Sequence, residues 1–491
     1  MKIYFRGHNF RYSLEHVVRM FRTDVTIVDS AFTRKDRFAE KDYAYFRYLS
    51  TERVKKIFVL VSLEGKEYSA VKKLEIGDDD STAARNLAII FFDIMSEATS
   101  YHPVYGILTG VRPLKIVEKM LDSNITEQEI TSSLAEDYRV SEQRATILLE
   151  TARASKAIAQ RSSSNGYSLY ISIPFCPSRC NYCSFVSQSI EKEYHLKEEY
   201  LPFLIREIEQ TAAITEKLNI NLESIYIGGG TPTILEEDEL SLLLATLKQQ
   251  FPIDETKEYT LEAGRPETIM LEKLQILKEN GVNRISINPQ TFDDAILERI
   301  GRKHSSKDIY VAFEKAKQAG FININADLIA GLPSDTLDGF NSSLNELIGL
   351  NPKSITVHAL TLKRASRLVN QDETFTDDAR KMVDSAYFQL KQHEFYPYYL
   401  YRQKATLENL ENIGYAQKGY EGIYNVFIMD EVHSILSCGA AGVTKIVNRD
   451  ISKIDRIFNY KYPREYMKNF DEVINRKNSI LSLYRESYKQ L

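Results

Sequence analysis

Cysteine is scarce in this chain, with four in 491 residues, which excludes the dense disulfide framework of a small secreted scaffold. Neither sign of charge dominates: 63 Lys and Arg face 68 Asp and Glu, a net charge of −5. No sequence-wide cationic field is therefore available to condense the protein onto nucleic acid or anionic lipid, and small molecules or proteins are the expected partners. No apolar run approaches the ~20 residues that span a bilayer. The opening MKIYFRGHNF also lacks the charged-then-apolar pattern of a secretory leader. A cytoplasmic protein without stable membrane insertion is the expectation. What remains, 43% hydrophobic and 27% charged residues, can bury a sizeable core in two or three domains.

Three regions are expected. Residues 1–165 read as an N-terminal α+β domain of unknown role. They begin with a strand-like MKIYF and a helical LEHVVRMFR, then a hairpin of Ile57–Leu63 and Tyr68–Leu74 around Glu64-Gly65, then helical segments, one opened by the capping-box pattern Thr126-Glu127-Gln128-Glu129. Tyr105–Lys115 reads as a structured loop, and Arg161–Gly166 (RSSSNG) as a polar linker. Residues 166–362 alternate apolar strands with helices. Leu169–Ile173, Ser224–Ile227, Tyr259–Ala263, Arg284–Asn288, Asn323–Ile329 and Ser354–Leu360 imply right-handed βαβ units and a partial (βα)6 TIM-like barrel. Such barrels do their chemistry at strand C-termini, and polar or glycine groups follow the strands here. Residues 363–491 read as a mixed C-terminal extension covering the substrate, with Val426–Met429 and Ser434–Ser437 as short strands and a charged helical tail from Pro463.

Three of the four cysteines fall within eight residues, in the loop IPFCPSRCNYCSF. Cys176, Cys180 and Cys183, spaced C-x3-C-x2-C just after a strand, can converge on one iron-sulfur cube while leaving one iron for an exogenous chelator. Zinc is the alternative, but the next candidate ligand, His195, lies twelve residues on at the head of a helix. Glycines at the end of a strand, as in Gly228–Gly230, bring backbone groups close to a ligand. A carboxylate at a strand end, as at Glu262, needs a hydroxyl or cation partner.

The cysteine loop resembles the signature of the radical S-adenosylmethionine (SAM) superfamily. With YISIPFC, GGGTPT, RISINPQTF and DLIAGLP, residues 168–445 resemble the oxygen-independent coproporphyrinogen III oxidase family. The first domain, YLYRQK and NLENIGYA point to its HemZ branch. The resemblance implies a 4Fe-4S cluster on Cys176, Cys180 and Cys183. It also implies SAM contacts from Tyr170, Tyr182, Gly229, Gly230, Thr231, Glu262, Gln290, Arg302, Asp327, Ala359 and Val443. The implied reaction is radical oxidative decarboxylation of coproporphyrinogen III to protoporphyrinogen IX in porphyrin and haem biosynthesis, with an electron donor such as flavodoxin or ferredoxin.

Arg364, Arg367, Arg402 and Lys404 are candidate partners for tetrapyrrole propionates, His358 and His433 are candidate haem ligands, and Cys438 reads as an inert thiol. Two positions depart from the family pattern: Phe185 stands where a further cysteine is usual, and Ser172 where a His precedes IPFC. Phe185 is closer to the haem-trafficking relatives, so a haem-binding chaperone is the second reading. Radical SAM methyl transfer that degrades haem is the third.

Overall fold

The computed structural model describes residues 1–491 apart from 34–35, 38–39, 184–187, 363–367, 369–377, 405, 449–452 and 489–491. The chain divides into two compact units, Met1–Glu150 with Glu408–Leu410, and Thr151–Leu407 with Glu411–Leu491.

In the first unit, β1 (Lys2–Arg6), β2 (Thr26–Val28), β3 (Tyr43–Ser50), β4 (Lys55–Leu63) and β5 (Lys66–Leu74) form one sheet in the order β2-β1-β3-β4-β5. The turn between β4 and β5 places both Glu64 and Gly65 at positive φ, +52° and +85°, the backbone twist that two-residue hairpin turns require. Ile3, Phe46 and Val59 of the sheet share a core with Leu14 and Val18 of helix Arg11–Phe21 and with Leu87 and Phe91 of helix Asp80–Thr99. Thr126 and Glu129 form the capping box read from the sequence.

The second unit is built on one sheet of eleven strands. β6 (Gly166–Ile173), β9 (Asn221–Gly229), β10 (Glu258–Gly264), β11 (Arg284–Ile287), β12 (Asn323–Ala330) and β13 (Ser354–Ala359) run parallel in that order, each followed by helical chain, and make the partial (βα)6 barrel. Two-residue strands β7 (Phe175–Cys176) and β8 (Gln188–Ser189) pair beside the cysteine loop. The later chain extends the sheet at both ends: β14 (Tyr396–Arg402) and β15 (Glu411–Ala416) join antiparallel beyond β13, whereas β16 (Ser434–Cys438) lies parallel to β6 and is followed by β17 (Val443–Asn448) and β18 (Lys453–Phe458).

Period-two alternation gives the barrel strands two different faces. Ile171, Ile173, Ile225, Ile227, Leu261, Ile285, Ile287, Leu328, Ile355 and Val357 are buried, the surface on which helices pack. The alternate residues are mostly polar and bond to one another across and along the strands. Tyr226 Oη donates to Glu262 Oε1 at 2.5 Å, Ser354 and Thr356 hydroxyls donate to Asn325 Oδ1, and Asn325 Nδ2 donates to Asp327 Oδ1 at 2.8 Å. A barrel interior is ordinarily filled by branched aliphatics; a polar inner face makes this interior a site.

Two sequence expectations change. Val426–Met429 is the end of a helix, Ile423–Met429, and not a strand. An apolar run cannot by itself distinguish the two, and here Glu258 decides it, its carboxylate accepting from the N–H groups of Ile423 (2.6 Å) and Tyr424 (3.3 Å) at the helix N-terminus. The expected linker 161–166 is tied to the barrel base: Ser163 donates through N and Oγ to Glu223 Oε1, both at 2.6 Å, and Ser162 Oγ meets His433 Nδ1 at 2.9 Å.

Candidate functional site

The cysteine loop leaves β6 at the C-terminal edge of the barrel. Cys180 is buried and Cys176 and Cys183 half-buried. Cys183 N donates to Cys180 O at 3.2 Å, a tight turn, and Asn181 anchors the loop to the barrel through N on Ile300 O (2.9 Å) and Nδ2 on Arg299 O (2.9 Å). Two sulfurs carry donors: Thr231 Oγ1 lies 3.5 Å from Cys176 Sγ, and Arg265 Nη2 lies 3.0 Å from Cys180 Sγ. Among the described residues no three His, Cys, Asp or Glu side chains converge on a single metal ion. Three thiols on one short loop suit a cluster whose corner irons each take one ligand, and the sulfurs of Cys176 and Cys180 already lie within reach of hydrogen-bond donors.

The glycine turn packs against this loop with no room for side chains. A Cβ on Gly230 would stand 2.4 Å from Phe175 O and 2.7 Å from Ile173 O, one on Gly229 (φ +102°) 2.9 Å from Ser172 Oγ, and one on Gly228 2.8 Å from the Glu262 carboxyl. Thr231 N donates to Phe175 O at 2.7 Å, locking the turn to β7. Gly230→Ala should therefore displace β7 and lower the iron retained after anaerobic reconstitution severalfold. Gly77→Ala, where a Cβ meets nothing within 4 Å, is the control, and equal iron in the two variants would refute the constraint.

Around the inner wall, Tyr170, Tyr226, Glu262, Asp327 and His358 are half-buried. Tyr170 and Tyr226 stack at 6.2 Å between centroids, and Tyr424 lies 4.5 Å from Tyr226, flooring the lumen. Burial pushes the Glu262 carboxyl up to about 7, with the Asp327 charge adding to it and the Tyr226 hydrogen bond opposing. Asp327 moves the other way: burial raises it, but bonds from His358, Asn325 and Thr356 hold it below the usual carboxylate range, and His358 Nε2 stands 3.6 Å away. Because the folded protein keeps the Glu262 proton, stability from this group is complete below the ordinary value near 4.5 and is lost as pH rises through about 7. The melting temperature of the apoprotein should fall across that window more steeply in wild type than in Glu262→Gln; parallel profiles would disprove it.

The remaining candidates lie near the same edge. Gln290 holds φ at +74°, uncommon for a residue with a side chain. It is fixed by its N on Asp327 O (2.9 Å) and its O on Ile329 N (3.0 Å). Arg302 Nη2 donates to Tyr182 Oη at 2.8 Å. Burial and the nearby Cys180 raise the Tyr182 hydroxyl, which Arg302 opposes, and Arg302 stays cationic despite burial because Tyr182 and Cys180 face it. Gln290 Oε1, Arg302 Nη1 and the neighbouring Asn288 Oδ1 are buried without a hydrogen-bond partner among the described residues, which fits a polar ligand at this place. Ala359 is buried, its N–H on Asn412 Oδ1 at 3.2 Å, and Val443 opens β17 beyond the Gly439–Gly442 turn. Ser172 Oγ donates to Ala440 O at 2.8 Å, joining that turn to β6.

Other candidates fall away from the lumen or outside the described residues. His433 has Nε2 2.7 Å from Ser168 Oγ and Nδ1 2.9 Å from Ser162 Oγ at the barrel base, so both ring nitrogens are engaged, unlike those of a haem ligand. Arg402 is buried at the end of β14 and Lys404 is exposed. Phe185, Arg364 and Arg367 lie outside the described residues. Cys438 is fully buried, and burial pushes its thiol up to about 12, matching an inert role. Arg265, Tyr226 and Asn288 were missed by sequence reasoning; a cation three residues after Glu262 was the available signal for Arg265.

Residues 170–347 match the radical SAM superfamily. The oxygen-independent coproporphyrinogen-III oxidase-like protein HemZ of Bacillus subtilis is 34% identical over 412 residues, 82% of each chain. The chain belongs to the HemZ family of radical SAM proteins. The haem chaperone HemW of B. subtilis is 41% identical to this chain over 197 residues, 40% of this chain and 51% of that protein. Coproporphyrinogen III oxidase (HemN) from Escherichia coli shares the fold, with a TM-score of 0.51 and 22% identity over 66% of this chain and 73% of that one. As a radical SAM family member, this HemZ relative uses a 4Fe-4S cluster and S-adenosylmethionine. No helix among the described residues is long and apolar enough to cross a membrane.

Proposed function

We propose that this protein is an oxygen-independent coproporphyrinogen III oxidase, converting two propionate side chains of a tetrapyrrole to vinyl groups. Each round removes carbon dioxide and one hydrogen atom from a propionate, the hydrogen atom leaving with the deoxyadenosyl group that SAM would supply, and passes one electron to an external one-electron acceptor. The similarity to an oxidase-like HemZ across 82% of both chains is the observation that carries this reading, because it extends far beyond the superfamily segment 170–347.

When bound, the cluster and SAM supply hydrogen-atom abstraction. In this reading Cys176, Cys180 and Cys183 hold the cluster. Gly229, Gly230 and Thr231 offer backbone and hydroxyl groups to the SAM amino acid portion, Arg302 beside Tyr182 meets its carboxylate, and Glu262 meets a ribose hydroxyl. Tyr170, Gln290, Asp327, Ala359 and Val443 line the remainder. The chain's own work is to hold the reacting groups in register and exclude water, since misplacement of about 1 Å can cost roughly a hundredfold in rate. A donor such as flavodoxin or ferredoxin would supply the electron.

The similarity to a haem chaperone favours a second reading, haem binding and transfer, for which His358 in the lumen is the candidate ligand. One experiment separates the two. Reconstituted protein is given SAM, a reductant and coproporphyrinogen III without oxygen, and deoxyadenosine, carbon dioxide and tetrapyrroles are followed. Carbon dioxide at two per substrate supports the oxidase. SAM cleavage without decarboxylation removes it, and stoichiometric haem uptake lost in His358→Ala supports the carrier.

A further inference from the structure

Arg265 follows β10 in the segment Gly264-Arg265-Pro266-Glu267 and is 4% exposed. Its guanidinium touches three different groups. Nη2 donates to Ser178 O at 2.7 Å and to Cys180 Sγ at 3.0 Å, and Nη1 stands 3.3 Å from Glu267 Oε1. Glu267 Oε2 lies 3.1 Å from Nδ1 of His304, which is 4% exposed. A buried cation with one carboxylate in reach gains little net stability from the pair, and the second half of this fork is spent on a sulfur and the carbonyl two residues before it. Only a planar fork with several donors reaches all three at once; a lysine ammonium cannot.

We propose that Arg265 is a positioning residue for the iron-sulfur cluster: it fixes Cys180 in the loop and raises the cluster's reduction potential by donating to that sulfur, with Glu267 and His304 orienting the guanidinium. The inference rests on Cys180 being a cluster ligand. Its physical basis is that adding an electron makes the cluster more negative, so a donor and a positive charge at a ligating sulfur stabilise the reduced form more than the oxidised one. The effect matters here because the cluster must accept an electron from an external donor before any turnover.

The test is a redox titration of the reconstituted cluster, followed by electron paramagnetic resonance, in wild type, Arg265→Lys and Arg265→Met, with iron content measured alongside. Arg265→Met should titrate at a more negative potential than wild type, and Arg265→Lys between the two. A methionine variant with full iron content and the wild-type potential overturns the proposal. If the methionine variant does not hold the cluster, the lysine variant decides. A lysine variant that loads and titrates below the wild-type potential supports the proposal; one that titrates at or above it overturns it, as does loss of the cluster in both variants, because Arg265 is then an anchor of the loop with no measurable hold on the potential. Cys180→Ala serves as the independent control, since a wild-type cluster spectrum and potential in that variant would refute the ligand assignment itself and leave Arg265 aside.

Discussion

Cys180→Ala protein reconstituted without oxygen should carry no 4Fe-4S absorbance, retain little iron and cleave no SAM. The alanine leaves two thiols on a loop that offers no fourth protein ligand, since Cys438 is buried in hydrogen-bond reach of Thr211 Oγ1 at 3.2 Å. It also leaves the Arg265 guanidinium facing an apolar methyl group, so one buried N–H loses its acceptor while Nη2 keeps its bond to Ser178 O. Unsatisfied buried donors cost about 1–3 kcal/mol, so the apoprotein should also unfold slightly earlier. Circular dichroism of the apo variant should nevertheless match wild type, which separates loss of the cluster from loss of the fold. A Cys180→Ala protein that cleaves SAM at the wild-type rate would sink the radical SAM site as assembled here.

Lys477→Ala should lower stability by about 3–5 kcal/mol, the usual cost of leaving one member of a buried ion pair uncompensated. Lys477 is 1% exposed and Glu207 fully buried, and their charged atoms lie 2.9 Å apart. Glu207 is also the acceptor for Gly439 N and Tyr466 Oη, each at 2.7 Å, and for Asn459 Nδ2 at 2.8 Å. Lys477 Nζ donates in addition to Ser437 O. The pair therefore clamps helices Ile190–Leu218 and Phe470–Tyr488 onto the turn that follows β16. Urea unfolding of the apoprotein measures the loss. Replacing both partners, Lys477→Met with Glu207→Gln, should recover part of it by removing the stranded charge; a Lys477→Ala loss below about 1 kcal/mol would contradict the clamp. Because the same turn accepts the Ser172 hydroxyl at Ala440 O, the single variant should load less iron even where it remains folded.

Much of the second unit was legible in advance. β6, β9, β10, β11, β12 and β13 appeared as short apolar runs with helical segments between them, and the cysteine spacing marked the loop after β6. The polar inner face was present in the same strands, as every second residue of YISI, IYIG, TLEAG and NADLIA, yet only the barrel's curvature tells which face is inside. Val426–Met429 failed for a different reason. A short apolar run suits either period, and the deciding partner, the Glu258 carboxylate on the first helical N–H groups, comes from a strand far earlier in the chain. Gln290 was found by motif, while its positive φ is a tertiary fact, imposed by bonds to β12.

Residue order alone decided the chemistry that is possible: three thiols on one short loop, a glycine turn at a strand end, and carboxylates placed where parallel strands finish. These are local patterns, and local patterns survive in one dimension. The tertiary structure decided which groups meet. Arg265 reaches Cys180, Lys477 reaches Glu207 and Tyr226 reaches Glu262 only because the sheet brings distant segments together, and a buried cation cannot be told from a solvated one until its surroundings are known.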